Sequence, residues 1–241
     1  MSSREQLAEK IMVALDYPTA EKAEQLIQQL KGIPCYMKVG MQLFYAEGPG
    51  IVVQLKEQGY KVFLDLKLHD IPNTVKGTAE SLTRLGIDMF NVHAGGGRAM
   101  MEAAREGMER ALGSGQTRPL LIGVTQLTST SREVLNKEIG IEGTVEEAVI
   151  HYAGLARKAG LDGVVASPLE VAYLKETFGP SILTVTPGIR PRGTAIGDQT
   201  RIMTPEEAIH AGTDYMVIGR PITAAPEPRA AMENILDSLL D

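Results

Sequence analysis

Eight short apolar runs, each followed by a helical pattern, set the tightest limit on what this chain can fold into. In order they are Ile11–Asp16, Cys35–Gly40, Lys61–His69, Met89–Ala94, Leu120–Leu127, Gly163–Ser167, Ile182–Pro187 and Tyr215–Gly219. The gaps carry apolar residues at helical spacing. Thr19 to Leu30 opens on a capping hydroxyl and places Ala23, Leu26, Ile27 and Leu30 on one face. Arg98 to Leu112, Val145 to Ala159 and Glu206 to Ala211 read the same way, the last with Thr204-Pro205 as its start signal. Gly32, Gly59, Gly86, Gly160 and Gly212 stand where helices close on a left-handed cap. This beat over 241 residues predicts an α/β protein folded as a single (β/α)8 (TIM) barrel, with residues 1–241 as one domain. A doubly wound open sheet is the alternative, weakened because no G-x-G-x-x-G follows the first strand. Gly95-Gly96-Gly97 reads as a turn into the helix at Arg98 before it reads as a phosphate cradle.

The third strand gives the first hint of function. Phe63-Leu-Asp-Leu-Lys-Leu-His-Asp70 alternates, with Leu64, Leu66 and Leu68 on one face and Phe63, Asp65, Lys67 and His69 on the other. Strands covered by helices are normally apolar on both faces. Asp65 and Lys67 therefore point into an enclosed space, where an unpaired charge is costly. A structural ion pair is one account of them; chemistry is the other. In a barrel, reactive groups lie at the C-terminal strand ends. Asp16 closes strand one and Lys38 lies near the end of strand two. Thr125, Gln126 and Thr128 close strand five, and Gly219-Arg220 closes strand eight. Taken alone, Asp16 serves equally as a helix cap, Lys38 as a snorkelling rim lysine, and His93 as a hydrogen-bonded rim residue.

Gly219-Arg220 carries a more specific expectation. Backbone N–H groups, a following helix start and an arginine fork together suit a phosphate dianion. The long non-periodic loop Gly188–Thr200, with Arg190, suits a lid closing over the same group. The net charge of −6 offers no basic footprint for nucleic acid, so an anionic ligand needs such a local cationic pocket. No apolar run approaches the roughly 20 residues that span a bilayer, and the polar N-terminus does not read as a signal peptide. The histidines show no metal-ligand spacing, and the single Cys35 rules out an internal disulfide. No membrane partner and a cytoplasmic location are the resulting expectations.

Taken together, these residues resemble the orotidine 5′-phosphate decarboxylase family. The resemblance is carried by Asp65-Leu-Lys67-Leu-His-Asp70-Ile71-Pro-Asn-Thr74. It extends over nearly the full chain through Val13-Ala-Leu-Asp16, Met37-Lys38-Val-Gly40, Val124-Thr-Gln-Leu-Thr128, Thr186-Pro-Gly-Ile-Arg190, Gly197-Asp-Gln199 and Val217-Ile-Gly-Arg220. It implies a cofactor-free decarboxylation of orotidine monophosphate in a homodimer, with no metal. Lys67, Asp65, Lys38 and Asp70 are the implied catalytic residues, Lys67 stabilising a C6 carbanion and then protonating it. Asp16 and Lys38 are implied to hold the ribose hydroxyls, Thr128 and Gln199 to lie by the pyrimidine, and Gly219, Arg190 and Arg220 to bind the phosphate. Asp70, Ile71 and Thr74 are implied to enter the partner's site, and Asp70 is indeed out of phase with Asp65 and Lys67. A keto-gulonate-phosphate decarboxylase or ribulose-phosphate epimerase on the same barrel is the nearest alternative. Those enediolate reactions usually call for a metal, yet strand two offers Lys38 rather than an acid. A non-enzymatic phosphate-binding barrel is the other alternative, and it would not need Asp65, Lys67 and Asp70 together.

Overall fold

In the structure, a computed structural model describing residues 3–194 and 201–240, eight parallel strands pair in sequence order and close on themselves. They are β1 Ile11–Ala14, β2 Tyr36–Gly40, β3 Lys61–Leu68, β4 Met89–His93, β5 Leu120–Val124, β6 Gly163–Val165, β7 Leu183–Thr186 and β8 Tyr215–Ile218. Helices α1 Arg4–Ala8, α2 Ala20–Gln29, α3 Met41–Glu47, α4 Gly50–Glu57, α5 Pro72–Arg84 and α6 Arg98–Ala111 lie in the first half. Helices α7 Val145–Lys158, α8 Val171–Phe178, α9 Pro205–His210, α10 Arg220–Thr223 and α11 Pro228–Ser238 lie in the second. This is the (β/α)8 barrel expected from the eightfold repeat. Among the described residues, no helix is long and apolar enough to cross a membrane.

Helices α1, α2, α7 and α9 begin where the sequence supplies a side-chain cap. The Thr19 hydroxyl accepts from the Lys22 N–H at the start of α2. Thr144 with Glu147, and Thr204 with Glu207, form reciprocal capping boxes on α7 and α9. Gly97, at φ +83°, turns the chain from a short 3-10 turn into α6, so the Gly95–Gly97 run is a turn.

Period-two alternation sorts each strand into an outer face against the helices and an inner face within the barrel. Met12, Tyr36, Phe63, Met89, Ile122 and Val185 meet there as a buried apolar layer. Two residues further along their strands the inner face turns polar, with Lys38 after Tyr36, Asp65 after Phe63 and Asn91 after Met89. A dry plug thus floors a polar chamber that opens at the C-terminal strand ends.

The strands stop one to three residues short of several expected boundaries: Asp16, Thr125–Leu127 and Pro187 leave the ladder to form the rim. Strand β3 departs further from expectation. Its straight alternation holds only to Asp65, and its register against β4 then shifts between Leu64 and Leu68.

Candidate active site

The chamber is a cavity of about 750 Å³ at the C-terminal ends of the strands. One wall carries an ordered row of charges. Lys38 Nζ lies 3.2 Å from Asp16 Oδ1 and 3.4 Å from Asp65 Oδ2, and Lys67 Nζ lies 2.7 Å from Asp65 Oδ1. Signs alternate along Asp16–Lys38–Asp65–Lys67, so each buried charge meets its opposite. The Lys38 and Asp65 side chains are only 8% and 14% exposed, whereas Asp16 at the mouth is 60% exposed. Gly40 leaves the space for this row: a Cβ there would stand 3.2 Å from Asp16 Oδ1 and 3.3 Å from Lys38 Nζ.

Burial alone would push the Asp65 carboxyl up. The Lys38 and Lys67 ammoniums, with hydrogen bonds from Lys67 and Asn91, outweigh it and hold the group below the ordinary carboxylate range. Burial likewise works against the Lys38 ammonium, and Asp65 and Asp16 overcome it, so Lys38 lies above the usual lysine value. Stability from Asp65 is therefore present above the ordinary carboxylate value and lost as pH falls through the lowered one. That from Lys38 is present below the ordinary lysine value and lost as pH rises through the raised one. Both groups stay charged across neutral pH.

The same cavity also carries cationic groups from the β7 and β8 ends, β8 being the neighbour of β1 in the closed barrel. Arg190, Gly219 and Arg220 line it there, and Gln126 and Thr128 line the cavity from the β5 side. Gly219 follows the last residue of β8 and precedes the four-residue α10, which begins at Arg220. Arg190 is not carried out on the long loop. It is 7% exposed, its backbone N–H donates to the Met203 carbonyl at 2.9 Å, and its Nη1 donates to the Ile189 carbonyl at 2.8 Å. Ile189 also forms a bridge with Met203, which fixes Arg190 beside the end of β7. Gln199, with Gly197 and Asp198 of the same motif, lies outside the described residues.

Asp70, Ile71 and Thr74 do not line their own chain's cavity. Asp70 accepts the Ile71 backbone N–H at 2.6 Å, which bends the chain into α5 at Pro72. All three residues are exposed, Ile71 by 67%.

Two features were not singled out from sequence. Asn91 is 1% exposed, and its Nδ2 donates to Asp65 Oδ1 at 2.7 Å. Its signal was available: a polar residue in phase with inward Met89, in an otherwise apolar run. Arg201 ties two rim loops together, donating to the Leu127 carbonyl at 2.9 Å and pairing with buried Glu170. These partners are remote in sequence, and no motif joins them. His93 stacks on His69 with ring centroids 5.4 Å apart. Burial lowers its pKa, helped by His69 and Lys67, so it is a neutral rim group at neutral pH.

A closed eight-stranded barrel whose cavity holds an Asp–Lys–Asp–Lys row and two arginines defines a (β/α)8-barrel enzyme working at its C-terminal rim. The chain belongs to the orotidine 5′-phosphate decarboxylase family, since residues 9–235 match the family model described as "Orotidine 5'-phosphate decarboxylase / HUMPS family". An orotidine 5′-phosphate decarboxylase of Bacillus anthracis is 52% identical over 229 residues, covering 95% of this chain and 96% of that protein. The crystal structure of orotidine 5′-phosphate decarboxylase from Lactobacillus acidophilus superposes with a TM-score of 0.86 at 42% identity, covering 96% of this chain and 99% of that one. That of an uncharacterized conserved protein from Geobacillus kaustophilus gives 0.85 at 47% identity, covering 95% and 99%.

Proposed function

We propose that this enzyme decarboxylates orotidine 5′-monophosphate to uridine 5′-monophosphate and CO2 without a cofactor, as the last step of pyrimidine nucleotide synthesis in the cytoplasm. The observation that carries this reading is Asp65 held between the ammoniums of Lys38 and Lys67, in one cavity with Arg190 and Arg220. The C6–carboxylate bond breaks and its electron pair stays on C6. The Lys67 ammonium stabilises that charge and then donates its proton to C6. Asp65, facing the substrate carboxylate, favours its departure. Asp16 and Lys38 receive the ribose hydroxyls, Thr128 and Gln199 lie by the pyrimidine, and Gly219, Arg190 and Arg220 grip the phosphate. Binding energy at the phosphate then assists chemistry at the distant base.

The active species is a homodimer in which Asp70, Ile71 and Thr74 enter the partner's cavity. Exposure of Ile71 with Asp70 and Thr74 at the start of α5 supports this, because none of the three lines its own chain's cavity.

Incubating the purified protein with orotidine 5′-monophosphate, with and without excess EDTA, tests the reading. Conversion to uridine 5′-monophosphate at the same rate in both is expected. No conversion overturns it. Conversion lost to EDTA and restored by Mg2+ overturns the cofactor-free part of the reading.

The phosphate assignment has its own test. A hydrogen bond to a charged group contributes about 1.5–3 kcal/mol, so Arg220→Ala should lower kcat/KM for the nucleotide at least about tenfold. The nucleoside orotidine, which never makes the contact, should suffer far less. Equal damage to both substrates would make Arg220 a structural residue.

A further inference from the structure

Above the apolar layer, β3 and β4 run out of step. Leu64 faces Phe90, yet the next pair is Leu68 with Val92, so four residues of β3 advance against two of β4. The excess has to leave the ladder. It includes Lys67, whose φ of +52° is left-handed, and among the described residues it is the one non-glycine with positive φ. A side chain with a Cβ is strained there and persists only where its surroundings hold it.

Asn91 supplies that hold. It is 1% exposed and sits on β4 directly across the slipped register. Its Oδ1 accepts the Lys67 backbone N–H at 2.8 Å, and its Nδ2 donates to Asp65 Oδ1 at 2.7 Å. That same carboxylate oxygen receives Lys67 Nζ at 2.7 Å. One side chain therefore fixes both ends of the pair, the lysine through its backbone and the aspartate through its carboxylate. An amide of this length offers a donor and an acceptor side by side at any pH, whereas a carboxyl does so only when protonated. Its orientation is set by its partners, since an N–H needs the oxygen and a carboxylate needs the nitrogen.

We propose that Asn91 is a positioning residue for the reaction: by clamping the strained Lys67 backbone and the Asp65 carboxylate together, it presents the ammonium to the reacting carbon. For the identity of that reaction the proposal rests on the decarboxylase reading above; for the clamp it rests on geometry alone. The titratable groups around the clamp are Lys38 and Lys67 against Asp65, Asp16 beyond Lys38, and the neutral His93, stacked on His69 and influenced by the Lys67 charge.

Two variants test it, each examined by crystallography and by steady-state kinetics. In Asn91→Ala crystals, residue 67 is expected to leave the left-handed region and the Asp65 carboxylate to rotate. With orotidine 5′-monophosphate, kcat should fall at least 100-fold while KM and the affinity for uridine 5′-monophosphate stay within threefold, because the ribose and phosphate contacts remain. Asn91→Asp is nearly isosteric and keeps the acceptor for the Lys67 N–H. Its carboxyl meets that of Asp65, and the two share a proton. The protonated form donates as the amide did, so kcat of this variant should fall as pH rises through the pair's apparent pKa, a limb missing from the parent profile. A purely structural asparagine would not create such a limb. An Asn91→Ala enzyme with unchanged geometry at residues 65 and 67, or with kcat within threefold of the parent, overturns the proposal. If Asn91→Ala does not fold, an Asn91→Asp profile parallel to the parent's overturns it. If the parent itself fails to turn over the nucleotide, the decarboxylase reading falls, and the variants' crystal geometry alone decides the clamp.

Discussion

Replacing Lys67 by alanine is expected to abolish decarboxylation of orotidine 5′-monophosphate while leaving nucleotide binding in place. The proposed mechanism asks two things of the one ammonium 2.7 Å from Asp65. Proton transfer from a positioned group contributes about 10²–10⁴-fold. A preorganised charge facing a developing anion contributes about 10²–10³-fold. Losing both should cost at least about 10⁴-fold in kcat, from the product of the two lower figures. Binding should survive, because the groups assigned to the phosphate and the ribose, Arg190, Gly219, Arg220, Asp16 and Lys38, are all kept. Calorimetric titration with uridine 5′-monophosphate beside a single-turnover assay measures both. Turnover within tenfold of the parent would remove Lys67 from the role of proton donor. Asp65 keeps Lys38 at 3.4 Å and Asn91 at 2.7 Å in this variant, so its charge is not stranded.

The second large effect is a recovery of activity. Lys67→Ala and Asp70→Ala homodimers are each expected to be inactive, and mixing the two should restore turnover. In a hybrid dimer, one cavity receives intact Lys67 from its own chain and intact Asp70 from its partner, while the other lacks both. With subunits fully scrambled, half of all dimers are hybrids carrying one good site, so recovery should approach about a quarter of parental activity by simple statistics of C2 assembly. The expectation comes from position: Asp70 is exposed, spends its carboxylate on the Ile71 N–H at the start of α5, and lines no part of its own cavity. Subunit exchange shown independently, with no recovered activity, would place Asp70 in its own chain's site or outside catalysis.

Most of this architecture could be read from the chain because a helix-covered strand is apolar on both sides, and eight such runs stand out between helix caps. Lys38 and Asp65 were legible for the same reason: each is a charge in phase with an inward aromatic, Tyr36 or Phe63. Asn91 carried a weaker version of that signal after Met89. An uncharged amide in a strand attracts less notice than a carboxylate, although its hydrogen bonds bind the row together. The left-handed turn at Lys67 was not legible. Asp-Leu-Lys-Leu-His alternates without a break, and the slip arises only where β3 meets the spacing of β4. Arg190 was placed correctly along the chain, but its anchorage to Met203 depends on a segment 13 residues later returning to β7.

Most surface loops of a barrel accept insertions and deletions, because slack in a loop is taken up by solvent-exposed backbone. The span from Asp65 to Leu68 has no such freedom. Removing one residue would rotate everything beyond it by half a pleat, turning Lys67 toward the helices and Leu68 into the chamber. Adding one would do the reverse. Removing two would restore an even ladder with β4, relax the strained backbone and draw the chain back from the rim, taking Asp70 and Ile71 with it. Length in this segment is therefore constrained as a unit. Point substitutions can tune the residues it presents, but the count between the apolar floor and the start of α5 ties the geometry of the charged row to the position of Asp70 and Ile71 at the rim.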